Sequence, residues 1–567
     1  MFFTCSMRSS FSAITPALVT QKAVRRLPRW ALLMFCAAYV LPGLFGRDPW
    51  KNADITAFGH MWSIALGQAS WLHPNIGGVL PAGGGILPYW LGAAAIRITS
   101  PWMDPALAAR IPFALILTAI LALTWYACYY LARTDAAQPL PLAFGGEALP
   151  QDYARAVADG ALLALIASLG LLLLGHETTP ELIQLLGSTL FLFSLAIAPN
   201  KPRTARITVM TGLACMALSG SPTVAALLGM AGTVVCSLSR DDGMHHHRNW
   251  VIGATILSAG LATLLTVFGL SGWQIRLSPG WHVGDLTRLM AWFAWPTLPL
   301  AALTIWHWRR QIMRRHIAVP MGVALIAILS SLSMGASDRA LLLALPALAI
   351  LAAFSLPILQ RSLGAALDWF SVCFFTTGAI LVWLTYGAMF TGRPAQMAAN
   401  VSKLVPGYVN NFSAIALIVA TLGSALWLAL VRWRTSRHTH ALWKSLVLPA
   451  GGVALWWLLA MTLMLPPVDQ ARSYRLFMVR VQSYVPAQSC VAAPDASTGL
   501  LTALEYFGGY EVHGTWAVGD IPSRCGTLMV SLPAKARSPE VPGWILVARV
   551  NQRTRNSESV AIFKRSL

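Results

Sequence analysis

The stretch GRDPWKNADITAFGHMWSIALGQ, residues 46–68, places two carboxylates, Asp48 and Asp54, among aromatic side chains directly after the first hydrophobic run. An Asp oxygen can accept the free N–H groups of a first helical turn, so one interpretation makes Asp54 the cap of a helix over 55–67. That helix would lie on a bilayer through an apolar face of Met61, Trp62, Ala65 and Leu66. Alternatively, Asp54 acts on a substrate, and Asp48 either forms a turn before Pro49 or joins the same site.

The composition around this stretch is that of a membrane protein. Of 567 residues, 56% are hydrophobic and only 11% are charged, which is too few charges to coat a soluble globule of this size. The formal net charge of +20 would suit nucleic acid. However, the Lys and Arg residues lie mainly in short loops, and no nucleic-acid motif is present. We therefore exclude nucleic acid as a partner and interpret the charge as a determinant of topology.

Thirteen apolar runs approach the roughly 20 residues that a helix needs to span a bilayer. They lie near 30–46, 106–132, 157–175, 180–199, 207–220, 222–239, 250–271, 287–306, 317–335, 340–358, 367–390, 412–431 and 445–465. The run 84–98 is shorter and begins with glycines, so we interpret it as an interfacial helix. The fold class predicted is an all-α membrane bundle over 30–465.

The distribution of basic residues supports this topology. With the amino terminus in the cytoplasm, 21 Lys and Arg residues up to residue 465 lie inside and nine lie outside. Counting 84–98 as a further span would reverse every later loop. Residues 1–29 are then a cytoplasmic segment before an uncleaved anchor, because no small-residue cleavage site follows the first apolar run. The predicted location is the bacterial inner membrane, with multiple passes.

An odd number of spans places residues 466–567 in the periplasm. Two helix-like stretches there, SYRLFMVRVQSYV and TGLLTALEYFGGY, alternate with three β-like runs, GTLMVSL, GWILVARV and SVAIFKRSL. This pattern predicts a small α/β domain. Cys490 and Cys525 are its two cysteines, and an oxidising compartment would allow them to pair.

The first outer loop, residues 47–105, is long for a connection in a compact bundle, and long ordered loops are often functional. Other polar groups are expected on the same side of the membrane. His176 and Glu177 lie at a short turn and either face water or join a site, and Glu181 should point inward. Asp338 and Arg339 form either a local ion pair or part of a site.

The sequence DDGMHHHRN, residues 241–249, resembles a metal-binding tract. Adjacent histidines do not converge on one ion without a folded loop, and this segment is a short connection. We predict a solvated loop and no metal. No phosphate-binding loop, dinucleotide fingerprint or zinc-protease motif is present in a persuasive context. We therefore predict no cofactor, and a divalent cation is not indicated.

The order of features in the first outer loop resembles the bacterial GT-C glycosyltransferases that use lipid-linked sugars, the aminoarabinose transferase and protein O-mannosyltransferase group. That group carries Asp-Glu with an aromatic residue, then Trp-x-x-Pro, then Lys-Pro-Pro before Tyr-Trp. The matching positions read DITAF at 54–58, WLHP at 71–74 and GGILPYW at 84–90. Arg110 matches the arginine that begins the second span of the family, and Arg339 matches a base that contacts the donor.

The sequence also departs from the family. Ile55 replaces the glutamate, Gly84 and Gly85 stand in the region of Lys-Pro-Pro, Thr179-Pro180 stands for Asp-Pro, and Gly220-Ser221 stands for Lys-Gly. The resemblance implies an inverting glycosyltransferase that moves a sugar from a polyprenyl-phosphate donor to a lipid A, glycan or protein acceptor in contact with membrane lipids. The alternative is a non-catalytic relative or a transporter-like protein whose outer domain binds a partner.

The resemblance and the polar residues expected on the same side of the membrane together give seven candidate site residues. Asp54 is the candidate catalytic base, because a carboxylate within reach can accept the proton of the acceptor. If the acceptor were an ionised lipid phosphate, Asp54 would orient it instead. The candidate substrate-binding residues are Arg339, Arg110, Lys51, Asp48, His176 and Glu177, the cations among them holding the phosphate.

Overall fold

The computed structural model describes residues 15, 17–141, 145–239, 241–270, 283–435, 441–494, 496–533, 536–551 and 559–566. Residues 1–14 and 16 of the predicted cytoplasmic segment 1–29 lie outside the described residues. The α-helices of the described part are α1 Arg29–Val40, α2 Ala53–Leu66, α3 Leu87–Thr99, α4 Pro105–Ala132, α5 Pro150–Ala167, α6 Leu169–Leu174, α7 Pro180–Ile197, α8 Pro202–Leu218, α9 Pro222–Leu238, α10 Asp242–Val267, α11 Val283–Phe293, α12 Thr297–His307, α13 Arg315–Ser333, α14 Asp338–Leu341, α15 Leu345–Ala353, α16 Arg361–Thr391, α17 Ala395–Leu404, α18 Ala414–Thr435, α19 Lys444–Ala460, α20 Leu465–Arg472, α21 Arg475–Gln482 and α22 Thr498–Tyr506. The strands are β1 Cys490–Ala492, β2 Glu511–His513, β3 Thr527–Leu532, β4 Trp544–Asn551 and β5 Ser559–Arg565.

Each of the thirteen apolar runs contains helix. Within the described residues, seven helices are long and apolar enough to cross a membrane, and up to nine if each bent pair counts as one span. The chain is therefore a multi-pass membrane protein, and the count of thirteen spans stays a prediction. The interfacial run 84–98 corresponds to α3, which begins at Leu87 because the glycines before it disfavour helix.

Two predicted spans are not single straight helices. The run 287–306 divides into α11 and α12, which meet at 101°. Pro296 stands at this break, where it lacks the N–H that a continuous helix requires. The run 157–175 divides into α5 and α6 at Ser168, whose ψ of 114° is extended. Both runs are helical on either side of these breaks.

The bundle has a buried centre and an exposed flank. In the segment Asp338–Ile358, which contains α15, 89% of the residues in the apolar stretch are buried. This segment packs against α12, α13 and α5. By contrast, only 17% and 11% of the residues in the apolar stretches of α16 and α18 are buried, and these helices carry apolar residues outward, as expected for helices that face lipid.

The carboxyl-terminal part forms the predicted small α/β domain. Its five-stranded sheet has the order β2-β1-β3-β5-β4, with β1 parallel to β2 and β3, and β5 antiparallel to β3 and β4. The three β-like runs are β3, β4 and β5, and the two helix-like stretches contain α21 and α22. A disulfide joins Cys490 and Cys525, which confirms that these cysteines pair.

Helix α2 is buried between the bundle and this domain. Ile55 and Ile76 of the first outer loop belong to the apolar core of the domain. A Cβ atom added at Gly59 would lie 2.1 Å from Oγ1 of Thr502 on α22. The predicted lipid-facing surface of α2 was wrong for Met61, which is fully buried and lies against Gly92 of α3. Among the residues predicted for that surface, Leu66 is exposed.

Candidate functional site

Asp54 lies inside the protein, with 1% of its surface exposed. Its Oδ1 accepts hydrogen bonds from the backbone N–H and the hydroxyl of Thr178, both at 2.9 Å. Its Oδ2 accepts the backbone N–H of Trp50 at 3.1 Å. Helix α2 begins at Ala53, and its N-cap, Asn52, makes no side-chain cap. The capping interpretation of Asp54 was therefore wrong, because this carboxylate binds groups outside the helix.

Arg47 is the direct charge partner of Asp54. Its Nη2 lies 3.5 Å from Oδ2 of Asp54, and both side chains are almost fully buried. The same nitrogen donates to the backbone carbonyl of His176 at 2.7 Å. The guanidinium also lies 4.5 Å from the ring centre of Trp50. Arg47 is thus fixed by the outer turn and by its own loop.

The surroundings of Asp54 stabilise its charged form. Burial alone would raise the pKa of Asp54, but the positive charges of Arg47 and Arg110 and the N–H groups of Thr178 and Trp50 hold this pKa below its usual value. Asp54 is consequently ionised at neutral pH. An ionised carboxylate can accept hydrogen bonds from a substrate hydroxyl, whereas its low pKa makes it a weak base.

Arg110 approaches the same carboxylate from α4. It is 4% exposed, and its Nη2 has no hydrogen-bond partner among the described residues. Beside Arg110 and His176 lies a small cavity of about 10 Å³ between the end of α1 and α4. Its apolar lining consists of Val40, Gly43, Leu44, Phe113, Ala114 and Leu117.

The turn at residues 175–179 connects the parts of the site. Pro180 begins α7, so the residues before it are non-helical, and their backbone groups are free to bind the inner charged residues: the Thr178 N–H donates to Asp54 and the His176 carbonyl accepts from Arg47. The ring nitrogens of His176 lie 2.7 and 2.8 Å from the carbonyl oxygens of Leu172 and Tyr39. Burial lowers the pKa of His176 to about 4, so the ring is neutral and fixes the turn.

Arg339 lies on the other side of this turn. Its Nη2 is 2.8 Å from Glu177 and its Nη1 is 3.2 Å from Glu181. The interpretation of Asp338 and Arg339 as a local ion pair was wrong, because the Asp338 carboxylate accepts the backbone N–H of Arg339 instead. Burial raises the pKa of Glu177 above its usual value, and the charge of Asp54 adds to this effect although Arg339 opposes it. Glu181 points inward, as its position at the start of α7 predicts.

Two candidates make their contacts with the carboxyl-terminal part. Asp48 accepts hydrogen bonds from the Ser473 hydroxyl at 2.7 Å and from Arg475 at 2.5 and 2.9 Å. Lys51 donates to the carbonyl of Ala471 at 3.3 Å. The sequence grouped both residues with Asp54, but the structure gives them contacts that attach the loop to α20 and α21. A phosphate-binding role for Lys51 stays a prediction.

The two segments in which the family carries lysine, around Gly85 and Gly220, lie against each other in this structure. A Cβ atom added at Gly220 would lie 2.0 Å from the carbonyl oxygen of Gly83, and one at Gly85 would lie 2.6 Å from the carbonyl carbon of Ser219. Gly220 also has a φ of +88°, which glycine adopts without strain. The two segments that carry lysine in the family here touch through their backbones. Ile55, in place of the glutamate, packs in the outer-domain core.

Sequence reasoning missed three residues in this region. Arg47 was counted only as an outer basic residue, and Thr178 was not considered. His60 on α2 is fully buried, its ring nitrogens have no partner among the described residues, and it lies 5.1 Å from the ring of Tyr89. An arginine seven residues before Asp54 was the one available signal for Arg47.

The structure offers no completed metal site within the described residues. Cys490, Glu511 and His513 come close together, but the disulfide occupies the sulfur of Cys490. In the 241–249 tract, His247 is buried and its Nε2 lies 2.9 Å from the Ser194 hydroxyl. This part of the tract belongs to α10, so the expectation of a solvated loop was wrong there.

The fold of the chain has counterparts among solved structures of membrane proteins. Among solved structures, it matches crystal structures of ArnT from Cupriavidus metallidurans, one bound to undecaprenyl phosphate and one in the apo state. Each matches with a TM-score of 0.60 and 15% identity, over 94% of this chain and 96% of that chain. No family model and no curated protein matches the chain. The resemblance noted in the first outer loop is thus confirmed at the level of the fold.

Proposed function

We propose that this protein is an inverting glycosyltransferase of the bacterial inner membrane that uses a polyprenyl-phosphate-linked sugar. The acceptor would be lipid A, another glycan or a protein on the periplasmic face. The observation that carries the proposal is the buried Asp54 carboxylate with two arginines, Arg47 and Arg110, inside a GT-C fold. Buried charges without a structural need are commonly functional.

The residues provide what the transfer requires. The oxygen of the acceptor attacks the anomeric carbon of the sugar, and the bond from that carbon to the phosphate oxygen breaks with its electron pair on the phosphate. Arginine side chains stabilise the charge of this leaving group through their planar sets of N–H donors. Asp54 orients the acceptor hydroxyl and accepts its proton. A single displacement inverts the anomeric centre.

Substitution of Asp54 tests the proposal. The purified full-length protein in lipid nanodiscs would receive a polyprenyl-phosphate donor with a radiolabelled sugar and a membrane extract as a source of acceptors. We expect Asp54→Asn to lower transfer by about a hundredfold or more, the range of general-base catalysis. Asp48→Asn is the matched control, because its contacts attach the loop, and transfer should fall less than about tenfold.

The outcome separates the enzyme from its non-catalytic alternative. Thermal unfolding of both variants shows whether the fold is intact. Equal transfer by the wild-type protein and a folded Asp54→Asn variant would contradict the proposal. Lipid A and surface glycans from a deletion strain, compared by mass spectrometry, then identify the acceptor class.

A further inference from the structure

A deep apolar groove lies on the surface of the bundle, separate from the residues around Asp54. Helices α1 and α18 each pack against α19, and the groove is the space between α1 and α18. Its cavity volume is about 450 Å³, which is within the range of sites that hold small molecules. Its lining is almost entirely apolar.

The groove has a buried floor and an exposed rim. Trp427 and Leu455 line it and are each 4% exposed. The indole N–H of Trp427 donates to the Thr376 hydroxyl at 3.1 Å, so its polar atom is already satisfied and the groove receives the apolar part of the ring. On the rim, Trp30 and Met34 are 67% and 47% exposed. The groove is therefore open toward the surrounding lipid and closed toward the protein.

The length of the groove matches one leaflet of a bilayer. On α1 its lining extends from Pro28 to Ala38, and on α18 it extends from Gly423 to Trp433. Ten helical residues rise by about 15 Å. The hydrocarbon core of a bilayer is roughly 30 Å thick, so this length is about half of it. A single hydrocarbon chain of one leaflet could lie along the groove from end to end.

Tryptophan side chains surround one end of the groove. Trp30 is near the start of α1, Trp433 is near the end of α18, and Trp443 precedes α19. The rings of Trp433 and Trp443 stack with centres 6.2 Å apart, and the Trp443 N–H donates to the carbonyl of Arg25 at 2.7 Å. Tryptophan is enriched where a membrane meets water. This end is opposite to the carboxyl-terminal domain, on the side that the sequence predicts to be cytoplasmic.

The same end of the groove carries an excess of positive charge. The three segments that form the groove contain no carboxylate and six cations. In residues 25–38, 423–434 and 443–458, these are Arg25, Arg26, Arg29, Arg432, Arg434 and Lys444. Asp152 and Asp368, from other segments, neutralise two of the arginines. Arg29 and Arg432 are exposed and make no ion pair with any described residue.

We propose that this groove binds an anionic phospholipid of the leaflet predicted to be cytoplasmic, with one acyl chain along the groove and the phosphate at Arg29 and Arg432. The acyl chain fits the apolar lining and the length, and the phosphate fits the excess of cations beside the tryptophans. The lipid would join α1 to α18, in whose apolar stretch only 11% of the residues are buried, and would stabilise the folded protein by mass action. The inference does not depend on the proposed function.

Native mass spectrometry of the full-length protein tests the head-group part. The protein in detergent would be titrated with dioleoyl phosphatidylglycerol, which is anionic, or with dioleoyl phosphatidylcholine, which has the same chains and no net charge. We expect the wild type to bind the anionic lipid at least about fivefold more tightly, and a variant with both Arg29→Gln and Arg432→Gln to lose most of this preference. Arg361→Gln is the matched control, because Arg361 is an exposed arginine predicted to face the same side, and the preference should remain.

Two alanines of α1 test the groove itself and remain informative if an arginine variant fails to fold. Ala31 lines the groove, whereas Ala37 is exposed and does not line it. Ala31→Phe should weaken binding of phosphatidylglycerol by about tenfold, because the new ring takes the place of part of the acyl chain. Ala37→Phe should weaken it less than about twofold.

Three results would overturn the inference. The first is equal binding of the two lipids by the wild type. The second is equal binding of phosphatidylglycerol by Ala31→Phe and Ala37→Phe. The third is a second copy of the chain in place of the lipid, which the same spectra would show as a dimer that Ala31→Phe dissociates. Sugar transfer is not measured in these titrations, so their failure would leave the proposed function standing.

Discussion

At the scale of single residues, the site depends on partners far apart in the sequence. Asp54 was identifiable because a carboxylate among aromatics after a hydrophobic run is unusual. Its partner Thr178 is 124 positions away, and the carbonyl that fixes Arg47 is 129 positions away. No local pattern links these residues. The sequence therefore indicated the carboxylate but not the set of donors that keeps it ionised.

Thr178 offers a pH-dependent test of Asp54. The Thr178 hydroxyl stabilises the ionised form, so Thr178→Val should raise the pKa of Asp54. If transfer needs the carboxylate, the acidic limb of the pH–rate profile should move to higher pH. Thr179→Val is the control, because the Thr179 hydroxyl is buried and has no partner among the described residues. An unchanged acidic limb in Thr178→Val would contradict a role for ionised Asp54.

Glu505 on α22 should make stability depend on pH. Burial raises its pKa to about 7, and its Oε1 has no partner in the described part of the chain. Because the pKa of Glu505 is higher in the folded state than in the unfolded state, this residue contributes its full stabilisation below about pH 4, the pKa of the unfolded chain. The contribution is lost as the pH rises through 7. Glu505→Gln should therefore unfold at a higher temperature than wild type at pH 8.

The size of this effect is about 1 kcal/mol after allowance for the partial exposure of the side chain. Thermal unfolding at pH 5 and pH 8 measures it, as the difference between wild type and variant at each pH. The two proteins should differ little at pH 5. A wild type that gains stability relative to the variant at pH 8 would show that Glu505 has a charged partner.

At the scale of elements, hydrophobic patterning predicted most helices and missed the interruptions. Long apolar runs identify helices because burial and lipid both require internally satisfied backbones. The break between α5 and α6 and the bend between α11 and α12 are local features within such runs. The strands β1 and β2, three residues each, are too short to show a period of two. Strand β1 is positioned by pairing with β2 and β3, and β2 is positioned by pairing with β1.

The contact between α2 and α22 gives a test at this scale. Gly59→Ala would bring a methyl group within 2.1 Å of Thr502 and 2.3 Å of Ile76. We expect a loss of about 1–3 kcal/mol, the usual cost of overpacking. Thermal unfolding measures it, and Gly253→Ala on α10, where a Cβ meets nothing within 4 Å, should be neutral or stabilising.

A compensating change identifies the cause. Thr502→Ala in the Gly59→Ala background should recover part of the lost stability, because it removes the nearer of the two clashes. If Gly59→Ala and Gly253→Ala were equally stable, the close packing of α2 on α22 would be wrong.

At the scale of the whole molecule, the fold class could be predicted from the sequence, but the packing of the carboxyl-terminal domain against the first outer loop could not. Composition and topology gave an apolar bundle followed by an α/β domain. Ile55, noted in the sequence only as a replacement for the glutamate of the family, is a core residue of that domain. Likewise, Asp48 binds Arg475, 427 positions later. Such contacts arise from tertiary packing, which the periodicity of apolar residues along the sequence does not reveal.

The disulfide gives a prediction for the outer domain. Cys490 and Cys525 are 35 positions apart, and closing a loop of this length stabilises a fold by about 3–4 kcal/mol through the unfolded state. Cys490→Ser, or a reducing agent, should lower the unfolding temperature of the wild type. Cys373→Ser, which removes an exposed free cysteine, is the control and should have little effect. A reducing agent that leaves the wild type unchanged would contradict the pairing.

The first outer loop supplies Ile55 and Ile76 to a core whose other members come after residue 473. Neither the first outer loop nor the carboxyl-terminal domain has a complete core alone. A chain that ends before residue 473 would therefore expose the apolar face of α2 to water. The helix that carries Asp54 would then lose its support from one side. Synthesis of the last hundred residues must therefore precede assembly of this core, and truncated proteins should be degraded by membrane proteases.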